Sequence, residues 1–301
     1  MNWNDFETYV EIYPPEEFNF NECLVFLSRS SLELLHQIKA GSVYKLIKVN
    51  ETFILFKVGY NNRSIIVEFP LSTPSEESRK QAAEYIWEWL DLGQDLAGFY
   101  EMAAKDRILS KISNKYYGLR IIGIPDLFES LVWAVIGQQI NLTFAYTLKK
   151  RFVERFGESL TLNGDTFWLF PSFEKIASID VEDLKKLQFT GRKAEYIIGI
   201  AKAIKNGDLS KETLLNQDYH QVKRTLTEFR GIGAWTADYV MMRCLHYNTS
   251  FPIGDAGLHN ALKSLLGFKR KPAIEEIKEF AENWDGWQAY ATFYLWRSLY
   301  E

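Results

Sequence analysis

Asp255 stands in the run Phe251-Pro252-Ile253-Gly254-Asp255-Ala256-Gly257-Leu258, at the head of a stretch whose Leu258, Leu262, Leu265 and Leu266 share one face. Residue type and place give it two compatible roles. As a helix N-cap, its side chain accepts a hydrogen bond from an amide of the first turn. As an ionised carboxylate facing a groove, it stabilises positive charge developing on a sugar ring, which is what an oxocarbenium-like transition state needs. Gly233 lies 22 positions earlier, in Gly231-Ile232-Gly233-Ala234, between two helical stretches. Asp218 and Gln221 form a capping-box pair for the first stretch, whose apolar residues are Val222, Leu226 and Phe229. The two glycines let the main chain turn tightly and approach an anion with no Cβ in the way. Ile232 is placed to anchor the hairpin in the core. The amides near Gly231, Gly233 and Ala234 sit at a helix N-terminus, where the dipole favours a phosphate. Carbonyls of the same hairpin could hold a monovalent cation that neutralises that phosphate. A C-cap glycine and a short inter-helix turn account for the same pattern.

These residues need a scaffold, and the chain divides into two unlike parts. Residues 1–100 carry β-rich runs at Val43 to Val49, Thr52 to Val58 and Ser64 to Leu71, with a turn at Tyr60-Asn61-Asn62-Arg63. Helical patterns at Ser31 to Lys39 and Glu76 to Leu90 flank them. Residues 101–301 read as helical. Leu127, Phe128, Leu131, Val132, Val135 and Ile136 make one wide apolar face behind Pro125. Ala194, Ile197, Ile198, Ala201 and Ile204 repeat the pattern behind Thr190-Gly191, and Ala237, Val240, Met241, Cys244 and Leu245 do so again. No strand signal of comparable strength stands out in this half. The expected architecture is therefore α+β: a small N-terminal antiparallel-sheet domain over residues 1–100, then an all-helical domain over 101–301 that carries the helix-hairpin-helix at 219–246.

Length and composition narrow the function classes. The 301 residues carry 35 Lys+Arg against 39 Asp+Glu, a net charge of −4 with pI near 5.8, so bulk charge does not draw this chain to nucleic acid. A nucleic-acid partner must be gripped by backbone groups or a local patch. Two cysteines, Cys23 and Cys244, cannot ligate an iron–sulphur cluster or a four-cysteine zinc site, and read as free thiols in a reducing compartment. None of His36, His220, His246 and His259 has zinc-like spacing. The first residues lack a basic start and an apolar segment, and no run approaches a membrane span. A cytoplasmic protein is the expectation, with no membrane partner and no sign of an obligate oligomer, hence a monomer.

Hairpin, Gly/Pro loop and following Asp together resemble the HhH-GPD superfamily of DNA glycosylases, and within it the alkylbase branch. The likeness covers most of the chain: Gly118-Leu119-Arg120 through Ile136-Gly137-Gln138, Phe170-Pro171, Gly191-Arg192-Lys193-Ala194-Glu195, and Trp284-Asp285-Gly286-Trp287-Gln288-Ala289-Tyr290-Ala291. It implies that Asp255 is the catalytic carboxylate. It implies a base pocket walled by Trp235, Tyr239 and Trp287, with Trp133 and Tyr290 as further candidates, where a cationic purine is held by stacking and cation–π attraction. Trp235, Tyr239 and Met242 make a second apolar stripe on their helix, which the resemblance assigns to a cleft rather than to core. Gln139 occupies the place of the residue that fills the gap left by an extruded base, with Gln138 as the alternative or as a helix cap. Arg192 and Lys193 are either phosphate contacts or a solvated helix end. Trp235 fills the slot where glycosylase/lyases carry a lysine, which implies monofunctional hydrolysis of the N-glycosidic bond. The expected substrate is double-stranded DNA with alkylated purines (3-methyladenine, 7-methylguanine), with no cofactor and no catalytic metal. A relative acting on oxidised or deaminated bases, and a non-catalytic damaged-DNA-binding protein, are the alternatives.

Overall fold

The computed structural model describes residues 1–300. Six antiparallel strands form the N-terminal sheet: β1 (Trp3–Asp5), β2 (Tyr9–Ile12), β3 (Gln37–Lys39), β4 (Ser42–Val49), β5 (Thr52–Tyr60) and β6 (Ile65–Glu68), in the order β1-β2-β6-β5-β4-β3. Helix α1 (Phe20–Leu27) follows β2, and α2 (Glu76–Trp89) follows β6. Alternation in β5 puts Ile54, Phe56 and Val58 on the face that joins Ala82, Ala83 and Ile86 of α2 in the core. A bidentate Arg79–Asp5 pair, 2.8 Å at both oxygens, ties α2 to the edge strand β1. Asn62, at φ 69, makes the turn between β5 and β6. The meander is as expected, but Ser31 to Lys39 is not a helix. Residues 31–36 run as turn and coil, and Gln37–Lys39 pairs with β4 as an edge strand. The apolar spacing of Leu32, Leu34 and Leu35 satisfies either geometry over so short a run.

The second half holds α3 (Ala97–Lys105), α4 (Leu109–Lys115), α5 (Leu127–Gly137) and α6 (Leu142–Phe156), then a hairpin β7 (Ser159–Leu162) and β8 (Asp165–Trp168). After it come α7 (Phe173–Ile176), α8 (Val181–Lys185), α9 (Gly191–Lys205), α10 (Lys211–Leu215), α11 (Tyr219–Glu228), α12 (Ala234–Arg243), α13 (Ala256–Leu265), α14 (Ile274–Phe280) and α15 (Gln288–Arg297). The β7–β8 hairpin corrects the all-helical expectation. Its turn is Asn163-Gly164, both at positive φ, the dipeptide that two-residue hairpins favour. Phe167 closes over Leu46 and Leu55, so the hairpin covers the outer face of the N-terminal sheet. One continuous core runs from Val10 and Ile12 through α5 and α12 to α15. Cys23 and Cys244 are free and buried, and burial pushes the Cys23 thiol up to about 12. No helix among the described residues is long and apolar enough to cross a membrane.

Candidate active site

Asp255 is the N-cap of α13 and accepts 2.8 Å from the Leu258 amide at Oδ1. Two indoles complete its surroundings. Trp296 Nε1 donates to Oδ1 at 2.7 Å, and Trp235 Nε1 donates to Oδ2 at 3.3 Å. Charge-assisted donors of this kind hold a carboxylate in one orientation. Oδ1 is doubly bonded at short distance, while Oδ2 has one long contact, so Oδ2 is the oxygen with capacity left for a reacting group. Gly257 makes the Trp296 contact feasible: a Cβ there would stand 2.9 Å from Asp255 Oδ1 and 3.1 Å from Trp296 Nε1. The wall beside the carboxylate is a row of tilted rings, with centroids 5.6 Å apart for Trp235–Tyr239 and 6.0 Å for Tyr239–Trp296. Behind it Trp133 Nε1 and Arg243 Nη1 both donate to Tyr239 Oη, at 2.9 and 2.8 Å.

Several segments must meet to build this arrangement. Asp218 and Gln221 close the capping box that starts α11. Gly231, at φ 96, turns the chain, Ile232 is buried, and exposed Gly233 is the N-cap of α12 with no side-chain cap bond. The first amides of α12 are thereby left for an outside acceptor. Asp238, buried in α12, binds Lys223 Nζ at 2.9 Å, the Tyr219 hydroxyl at 3.0 Å and the Phe251 amide, which fixes both hairpin helices to the loop leading to Asp255. The His259 ring nitrogens lie 2.9 Å from Ile253 O and 3.0 Å from Pro272 O, stapling the other side of that loop.

The family comparison decides among folds that could carry such a site. A family model for HhH-GPD superfamily base excision DNA repair proteins matches residues 132–286. The chain belongs to the HhH-GPD superfamily. A second model, the N-terminal domain of 8-oxoguanine DNA glycosylase, matches residues 12–131. The chain is 46% identical to a DNA-3-methyladenine glycosylase of Bacillus subtilis, over the full length of both. It is 31% identical to DNA-3-methyladenine glycosylase 2 of Escherichia coli over 60% of each chain. Among solved structures, 3-methyladenine DNA-glycosylase of Archaeoglobus fulgidus superposes with a TM-score of 0.82 at 27% identity, covering 95% of this chain and 97% of that one.

Within this HhH-GPD scaffold, the residues expected from sequence fall into place unevenly. Trp235 and Tyr239 line the Asp255 side, with Trp133 one hydrogen bond behind. Trp287 does not reach it. It caps the opposite end of α15, packing on Gly98 and Phe99 of α3, nine residues and about 13 Å along the helix axis from Trp296. Tyr290 is fully buried and gives its hydroxyl to Asp91 Oδ2 at 2.5 Å, so it is core, not pocket wall. Met242 is also fully buried. Gln139 is exposed at φ 56, a left-handed conformation that throws its side chain outward. Gln138 is instead tied down, donating at 2.9 Å to both Gly231 O and Thr236 Oγ1, so it joins the α5 end to the hairpin rather than projecting. Lys193 turns inward and donates to Ile136 O at 2.6 Å, capping α5 just before Gln139. Burial lowers its pKa. Sequence reasoning missed Trp296. Helix α15 carries apolar and aromatic residues all round (Gln288-Ala-Tyr-Ala-Thr-Phe-Tyr-Leu-Trp-Arg297) and is buried from Ala289 to Arg297, so periodicity gives no facing direction for any one ring.

Proposed function

We propose that this protein is a monofunctional DNA glycosylase that hydrolyses the N-glycosidic bond of alkylated purines in duplex DNA and leaves an abasic site. The observation that carries the reading is Asp255 oriented by two indole N–H groups beside an aromatic row. An extruded nucleotide lying on Trp235, Tyr239 and Trp296 would bring its sugar to Oδ2. As the bond to the base lengthens, the ring gains positive charge and the carboxylate stabilises it; the same oxygen then orients the attacking water. A base alkylated at a ring nitrogen leaves as a neutral molecule, so strong protonation of the base is not required. Full-length similarity to a Bacillus subtilis protein named DNA-3-methyladenine glycosylase supports the alkylated-base assignment. Duplex is held by the amides at the start of α12, which needs few basic residues and suits a chain of net charge −4. Gln139 fills the gap in the stack. The enzyme acts as a monomer.

Two measurements test this. Incubation with a methylated duplex should release free 3-methyladenine and 7-methylguanine, identified by chromatography; retention of both bases in the DNA would end the reading. Borohydride should trap no covalent adduct, because the position after the hairpin holds Trp235 and not an amine. A trapped adduct would mean lyase chemistry.

A further inference from the structure

Between the N-terminal domain and the helical half lies a cavity of about 50 Å³ whose lining carries Arg29, Lys45, Lys149, Arg243, Glu33 and Glu129. Lys149 sits 2.9 Å from Glu33 and 3.6 Å from Glu129. Lys45 donates to Leu35 O at 3.1 Å. The two lysines offset the two glutamates. His36, also in the lining, is pushed down to about 4 by burial and is uncharged at neutral pH. Arg29 and Arg243 remain with no carboxylate partner among the described residues. Arg243 is buried and Arg29 half-buried, and drawing a guanidinium out of water without a carboxylate is costly, a cost that a fold retains where the charge has a use.

Arg243 touches the aromatic row at Tyr239, and Arg29 lies beside Arg243. Arg29 lies 3.8 Å and Arg243 5.3 Å from the Phe26 ring centroid, so the two cations share one ring. Arg243 reaches Tyr239 Oη, and Arg29 Nε donates to Tyr146 Oη at 2.6 Å. The terminal nitrogens of Arg29 make no hydrogen bond within the described residues. Tyr146 packs on Trp133 with centroids 4.9 Å apart, and Trp133 in turn donates to Tyr239 Oη, so Arg29 reaches the row through one aromatic neighbour. A base stacked on Trp235, Tyr239 and Trp296 with its sugar at Asp255 would turn its far edge toward Arg29. Resting on the function proposed above, we infer that Arg29, backed by Arg243, is a specificity-determining donor that favours purines carrying a carbonyl oxygen over amino-purines. A guanidinium N–H gains a charge-assisted bond to a purine carbonyl and none to an exocyclic amine. A pocket built to donate discriminates strongly against a base that cannot accept.

The test crosses acceptor content with charge. 7-Methylguanine and hypoxanthine carry the oxygen, 3-methyladenine carries an exocyclic amine, and 1,N6-ethenoadenine has no oxygen but presents a ring N6 lone pair that also accepts. Single-turnover excision is measured on a methylated duplex and on duplexes with one hypoxanthine or one ethenoadenine, for wild type, Arg29→Met, Arg29→Lys and Arg243→Lys. In Arg29→Met the rates for the three bases that present an acceptor, cationic or neutral, should fall about tenfold relative to 3-methyladenine, whatever loss is common to all four. Arg29→Lys keeps the charge but narrows the donor fork and should fall between, and it carries the test if the methionine variant does not fold. An equal loss for all four bases would make Arg29 a structural residue and overturn the inference, as would a ratio that does not move. If wild type releases none of the four, the glycosylase reading fails as well. If wild type releases them with an unmoved ratio in the variants, only the Arg29 inference fails.

Discussion

Replacing Asp255 by Asn isolates the charge at the proposed reacting centre. Asparagine caps helices about as well as aspartate, so the Leu258 amide and the Trp296 indole keep an acceptor at 2.8 and 2.7 Å. The other atom becomes an amide nitrogen facing Trp235 Nε1, 3.3 Å away, donor against donor at a contact that is already long. Folding stability should therefore shift by less than about 1 kcal/mol. The chemical step is different. A carboxylate about 4 Å from a sugar cation contributes about 4 kcal/mol at an effective dielectric constant near 20. At 1.36 kcal/mol per decade that is roughly a thousandfold in rate, and about a hundredfold is the least the reasoning permits. The assay is single-turnover base release from a methylated duplex, with binding to a duplex containing a stable abasic analogue measured alongside. Asp255→Asn should bind that duplex within about threefold of wild type and lose excision by about 10²–10³. Turnover within tenfold of wild type, with binding intact, would show that Asp255 is only a helix cap.

Gly257→Ala should leave the helix at least as stable by propensity but displace the Trp296 indole or the Asp255 carboxylate, since the new Cβ would stand 2.9 Å from Oδ1. Excision should fall about tenfold with thermal stability nearly unchanged, and full activity would mean the Trp296 bond is dispensable. The two hairpin glycines should separate in one pair of variants. Gly231→Ala puts a Cβ 2.2 Å from the Tyr196 side chain at φ 96 and should lower stability by about 2 kcal/mol, whereas the Gly233 position is open. Gly233→Ala should melt like wild type yet bind every duplex more weakly, damaged or not; a loss confined to one damaged base would move the hairpin into base recognition. His246 gives the pH dependence of stability. Burial opposes its charge, but Asp91 Oδ1 at 2.9 Å and Glu88 outweigh it and raise the pKa from 6.5 to about 9. A raised folded pKa means stability fully present below about pH 6.5 and lost as pH climbs through about 9, on the order of 3 kcal/mol. Melting temperatures of wild type should fall over that window and those of His246→Asn should stay flat; parallel curves would refute the ion pair.

What the sequence made legible was local. Asp218 with Gln221, and Asp255, cap their helices in the structure as expected because capping depends on neighbours within four residues. The second hairpin carries a local signal of the same kind. Asn163-Gly164 is as strong a turn signal as the one at Asn61-Asn62, but Ser159 to Trp168 is too short and polar to stand out among long helices. The errors are tertiary. Trp287 and Trp296 are both tryptophans near the ends of one apolar helix, and only the fold shows which end meets α13. Tyr290 reads as a pocket aromatic until Asp91, 199 residues away, is found to hold its hydroxyl.

The same division explains why the electrostatics of the site were invisible. Trp235 and Asp255 are 20 residues apart and belong to one recognisable motif, so their meeting was expected. Arg29, Arg243 and Trp296 come from the segment after α1, from α12 and from α15, and none sits in a pattern that marks it out. An arginine's charge is fixed, so its consequence depends wholly on whether a carboxylate lies beside it, and that depends on chain packing rather than on spacing. Lys149 shows the contrast: buried in the lining of the same cavity, it is matched by Glu33 and Glu129. On the function and the Arg29 role proposed above, the two unmatched guanidiniums on one side and Asp255 on the other would set a gradient along which positive charge moves from base to sugar as the glycosidic bond breaks. That gradient, not the presence of aromatic rings, is the property that would distinguish a working excision site from a pocket that only binds.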